Sequence, residues 1–188
     1  MQSLVLIIDF INDIVHPEGK IAASANYIAH NNVIAKVNNV LTFARKEKHL
    51  IAHVKVGFSA NYIECPEQSP IFGKAKEFKA LQLGTWGTEF HHDIVSGSND
   101  IVIVKHRVSA LYATPLETIL RSQKINTVII SGVSTNMAVE TTARELHDRD
   151  YRIVIVKDAC AAATTEIHEA SLKSLERIAT VCTSNELK

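Results

Sequence analysis

A chain of 188 residues with 20 basic and 20 acidic side chains has no net charge to attract nucleic acid or an anionic membrane. Its apolar runs are strand-sized rather than membrane-sized, and its length suits one domain, residues 1–188, with a sizeable core. Cys65, Cys160 and Cys182 are odd in number, widely spaced and form no CxxC, so neither a disulfide framework nor a zinc knuckle is expected.

In chain order, residues 4–8 form a short apolar run ending at Asp9, and residues 26–48 carry Val33, Val37, Val40, Leu41 and Ala44 at helical spacing. Further strands are predicted at 50–56, 101–104, 127–130, 152–156 and 179–182, with helices at 115–122, 135–148 and 165–177. Strands apolar on both faces and separated by helices imply a mostly parallel, six-stranded sheet covered on both sides, a three-layer α/β/α arrangement. Ligands bind such sheets beyond the carboxyl ends of the strands. Neither GxGxxG nor GxxxxGK[ST] occurs, so the two commonest phosphate cradles are missing and no cofactor is expected. No signal peptide is expected either, since the N-terminus runs straight into a strand. A cytoplasmic setting is the simplest.

Residues 57–100 break the alternation, with turn signals, a short helix at 74–83 and the aromatics Phe58, Tyr62, Trp86 and Phe90. Long loops of this kind tend to be lids or binding loops, so these aromatics are candidates for a pocket wall or a subunit interface. Cys65 reads as a loop thiol, and Cys160 and Cys182 as buried small apolar residues.

Three strand ends carry the candidate chemistry. The stretch from Ser131 to Arg144, SGVSTNMAVETTAR, reads as a strand, a tight turn at Gly132 and a helix start whose unpaired amides suit an oxyanion or carboxylate. It resembles the GV-x-TN-x-C-V-x-x-TAR signature of the isochorismatase-like hydrolase family, which includes nicotinamidases and carbamoyl hydrolases. Ala138 stands where the cysteine-dependent members have their nucleophile. A methyl group cannot attack a carbonyl. The segment IIDFINDI resembles the family's DMQNDF, with Asp9, Asn12 and Asp13 matching, Ile11 for Gln and Ile14 for Phe. The segment IVIVKHRVSALYATPL resembles KxRxSAF, with Lys105, Arg107, Ser109 and Ala110 matching and Leu111 for Phe.

The resemblance implies a Rossmann-like fold with Asp9 as acid or base and Lys105 beside it. It also implies Ala138 at the nucleophile position and a cis Val133–Ser134 peptide that turns the Ser134 amide into the site. Phe58 and Trp86 are added as substrate contacts, and Arg107 as a loop anchor. Nicotinamidases carry a DxH metal motif; here IAHVKVGF offers His53 with no Asp two residues before it, and the adjacent His91 and His92 suit one strand face poorly. No metal is expected.

The implied activity is a hydrolase of isochorismatase type acting on a small molecule without a covalent intermediate. Asp9 protonates an enol ether, water adds, and the hemiketal collapses to pyruvate and an alcohol. Lys105 orients the substrate and balances charge, although a nearby lysine lowers an Asp pKa whereas a general acid needs it raised. Alternatives are an inactive or ligand-binding relative, or a cysteine hydrolase in which Ala138 replaces a native Cys. The family also implies a homo-oligomer, dimer or tetramer.

Overall fold

In the computed structural model, which describes residues 2–187, six parallel strands lie side by side. They are β1 (Leu4–Ile8), β2 (Leu50–Val56), β3 (Ile101–Lys105), β4 (Thr127–Gly132), β5 (Arg152–Val156) and β6 (Thr180–Cys182), in the order β3-β2-β1-β4-β5-β6. Side chains alternate across a strand. Leu4, Leu6 and Ile8 of β1 therefore enter one core, while Val5 and Ile7 enter the other. The first core is closed by α5 (Leu116–Ser122), α6 (Glu140–His147) and α7 (Thr165–Leu175), through Leu116, Leu146 and Leu175 among others. The second lies under α3 (Val33–Lys46), whose Val33, Val37, Val40, Leu41 and Ala44 form the buried stripe that the 3.6-residue spacing predicts. The result is the three-layer α/β/α arrangement expected. No helix among the described residues is long and apolar enough to cross a membrane.

The strand order reverses direction between β1 and β4, and in open parallel sheets a crevice opens at that switch point. Gly132 ends β4 there. A Cβ on it would come within 2.8 Å of Val139 Cγ2 and 2.9 Å of Ile8 Cβ, so only glycine lets β4 and the following turn pack this closely.

Several elements differ from expectation. The helix predicted over 26–48 is two, α2 (Ala25–His30) and α3, because Asn32 between them is left-handed (φ 51°), a conformation Asn tolerates better than most. The helix predicted from residue 135 opens as a π-helical turn, Thr135–Val139, before α6 begins. The helix at 74–83 shrinks to α4 (Ala75–Phe78), ended by left-handed Lys79 and Leu81. Beneath the 57–100 segment lies a third, small core of Val56, Phe58, Tyr62, Phe72 and Leu81. It is tied to α1 (Asn12–Val15) by Asn12 Nδ2, which donates to Trp86 O (2.9 Å), and by Asp13 Oδ2, which accepts from Leu81 N–H (2.7 Å). Asn12 and Asp13 thus anchor the loop.

His53 sits in mid-β2, fully buried. Its Nε2 lies 3.0 Å from Asp100 Oδ2, which also meets Arg45 at 2.8 Å, and its Nδ1 has no hydrogen-bond partner. Burial pushes its pKa below the ordinary histidine value against the pull of Asp100. The folded state therefore resists protonation, so this stabilising contribution is present above the unfolded value of 6.5 and is lost as pH falls through the folded pKa. The thermal midpoint should drop more from about pH 7.5 to about pH 5.5 than that of His53→Gln. Parallel slopes would remove His53 from the acid response.

Candidate active site

Asp9 follows β1 directly, with its backbone in the left-handed region (φ 60°), a strained conformation typical of functional positions. Its carboxylate is buried, at 3 % exposure. Oδ1 accepts from Val56 N–H at 2.8 Å, and Oδ2 lies 2.7 Å from Lys105 Nζ at the end of β3. Lys105, 2 % exposed, also donates to Arg107 O (3.2 Å) and Val108 O (2.9 Å). An ammonium has three hydrogens. All three are engaged, by Asp9 and the two carbonyls. Burial is the larger influence on Asp9 and raises its pKa, with the lysine and the Val56 amide pulling the other way.

The opposite wall is the turn after β4. The Val133–Ser134 peptide is cis, as expected. Ser134 O accepts from Met137 N–H (3.1 Å) and Val139 N–H (3.2 Å), while Thr135 N–H donates to Ala161 O (2.7 Å). The amides of residues 135, 137 and 139 are therefore committed to the fold. Thr135 Oγ1 also lies 2.7 Å from His168 Nδ1 of α7, a buried contact that fixes the turn from outside and that no sequence motif announced.

Asp9, Lys105, Val133, Ser134 and Ala138 line one cavity of about 230 Å³. Its remaining walls are apolar and include Ile14, Ile71, Phe72, Val108 and Met137, none of which was predicted. Phe58 and Trp86 do not line it. Phe58 leaves β2 straight into the small core, where its ring packs 5.6 Å from that of Phe72. It therefore lies behind the wall that Phe72 supplies. Trp86 is pinned against α1 with its ring edge-on to His16 at 5.0 Å, and is 45 % exposed. Tyr62 is also buried in the small core, and Phe90 packs against it, so neither offers an interface. Arg107 anchors the loop as expected, donating to Glu64 O (2.9 Å). In the same motif Ser109 donates to the Glu145 carboxylate and Ala110 N–H to Thr142 Oγ1 (3.0 Å), joining the end of β3 to α6.

Among the described residues no cysteine lines the cavity. Cys160 is fully buried and its thiol is pushed up to about 12 by burial. Cys65 donates to Phe72 O (3.2 Å), and burial raises its pKa too. Cys182 belongs to β6 at the sheet edge. Among the described residues, the side chains close enough to share one metal ion are His91, His92 and Asp93, with donor atoms all within 4.8 Å. The two histidines are in a loop rather than on a strand, which lets their rings stack at 4.4 Å; adjacency does not separate them as expected. They face a different cavity, away from Asp9.

Residues 3–186 match the isochorismatase domain family. The chain belongs to the isochorismatase family. It is 37 % identical over 137 residues to the uncharacterized isochorismatase family protein YecD of Escherichia coli O157:H7, covering 71 % of this chain and 70 % of that one. Among solved structures it is similar to an isochorismatase family protein from Desulfovibrio vulgaris, with a TM-score of 0.87 and 24 % identity over 98 % of this chain and 96 % of that one. It is likewise similar to the N-carbamoylsarcosine amidase of Thermoplasma acidophilum, with a TM-score of 0.79 and 24 % identity over 100 % and 99 %. At these identities the two structures speak for the isochorismatase-family fold alone.

Proposed function

We infer that the protein is a small-molecule hydrolase in which Asp9 moves the proton and water is the nucleophile. The observation that carries this reading is a buried Asp9 carboxylate, held by Lys105 and the Val56 amide, that lines one cavity with Ala138 and without a thiol. Asp9, ion-paired with Lys105 and held by the Val56 amide, takes a proton from the attacking water. It then gives that proton to the leaving group, which returns it to its starting state. The amides of Ser134 and Ala138 serve the developing negative oxygen. A panel of enol ethers, amides and carbamoyl compounds, with intact-mass measurement during turnover, tests it. Turnover of at least one compound with no mass added to the protein is expected. A covalent adduct on the working enzyme would overturn the reading, and a panel with no turnover favours a ligand-binding relative.

Introducing a thiol offers a second check. Ala138→Cys places one in the turn after β4, against Asp9 and Lys105. A helix start and an ammonium both favour thiolate. That thiol should be alkylated faster than Cys65, Cys160 or Cys182, whose pKa values burial raises. Equal labelling rates would show that the turn does not activate a thiol.

The homo-oligomer belongs to the same proposal. Ile63, Ile71 and Phe78 of the 57–100 segment are exposed, and surfaces of this kind mark contacts. Light scattering at micromolar concentration should report a dimer or larger; a monomer counts against it.

A further inference from the structure

The electrostatics of the cavity narrow what can enter it. Among the described residues two ionisable side chains line it, Asp9 and Lys105, and they neutralise each other at 2.7 Å. Every Lys105 hydrogen is already directed at Asp9, Arg107 O or Val108 O. Ser134 is the one other polar side chain in the wall, and the rest is apolar. Neighbouring cations are turned elsewhere. Arg107 is directed at Glu64 O and His106 O, and Lys20 Nζ at Lys79 O.

Taking as its premise that this cavity is the reaction site, we propose that the substrate is a small, electrically neutral molecule with an apolar body and one polar reacting group, and that carboxylates are rejected. A carboxylate entering here loses its water, meets in the wall only a lysine whose hydrogens are all engaged, and stands beside Asp9. Burying an unpaired charge is far more costly than burying a hydrogen-bonded amide or ether. An apolar ring or short branched chain instead gains from contact with Ile14, Val108 and Met137, while its polar group reaches Asp9 and Ser134. At about 230 Å³ the cavity is smaller than the roughly 300–1,000 Å³ of drug-sized sites. One ring or a chain of similar bulk fills it. The enol ether that releases pyruvate, implied by the sequence resemblance, carries a carboxylate and falls outside this class.

Calorimetric titration of the whole protein with matched pairs, benzamide against benzoate and isobutyramide against isobutyrate, tests the inference. The neutral member of each pair should bind at least about tenfold more tightly. Equal or tighter carboxylate binding overturns it, and so does failure of both neutral members to bind at up to about 10 mM. Titration needs no turnover, so the two readings fail separately. Neutral binding without turnover of any neutral compound sinks the hydrolase and leaves the class standing. Turnover of a carboxylate does the reverse.

Discussion

Replacing Lys105 with methionine is expected to lower the unfolding free energy by about 3–5 kcal/mol, the usual result of stranding one partner of a buried ion pair. The lysine is 2 % exposed and its ammonium lies 2.7 Å from Asp9 Oδ2. The loss has a pH signature. Without the lysine, only the Val56 amide opposes burial, and the Asp9 pKa rises further. A raised carboxyl pKa favours the fold at low pH and penalises it as pH rises through the folded value. The deficit should therefore be larger at about pH 8 than at about pH 5, read by denaturant unfolding at both. Asp9→Leu/Lys105→Met should recover most of the loss, since a buried pair replaced by apolar groups is often neutral. A single-variant loss below about 1 kcal/mol would mean the pair is solvated in solution.

The second large effect is on turnover. Asp9→Asn should lower kcat by about 10²–10⁴-fold, the range for loss of a proton-transfer group, with a cooperative unfolding transition retained. The amide oxygen can still accept from Lys105, which also keeps its bonds to Arg107 O and Val108 O. In the parent, kcat should fall as pH drops through the Asp9 pKa and the base is protonated. A variant within about threefold of the parent takes Asp9 out of the mechanism.

How much of this was readable in the sequence depends on the interaction involved. Apolar runs ending in Asp9 and Lys105 marked β1 and β3, and the residues after Gly132 marked the facing turn, because strand burial and helix starts leave local patterns. The π-helical opening at Thr135–Val139 was not legible. The same small and polar residues would begin an α-helix, and the contacts that hold Thr135 in this turn, Ala161 O and His168, come from distant parts of the chain. The break at Asn32 did have a signal, the paired asparagines 31 and 32, masked by an apolar stripe that is helical on its C-terminal side. The cavity walls were illegible for another reason. Ile71, Phe72 and Val108 come from irregular loops without a period, and nothing local distinguishes Phe72, which lines the cavity, from Phe58 behind it. The role of Lys105 turned on two backbone carbonyls, which every residue carries.

The central claim is that a carboxylate, not a thiol, carries the reaction. It is tested most directly by removing all three thiols at once, as Cys65→Ser, Cys160→Ala and Cys182→Ser, and measuring kcat on a compound the parent turns over. The folded cysteine-free protein should keep kcat within about threefold of the parent. Loss of turnover in that protein, with its fold intact, would contradict the account and return the chemistry to a cysteine.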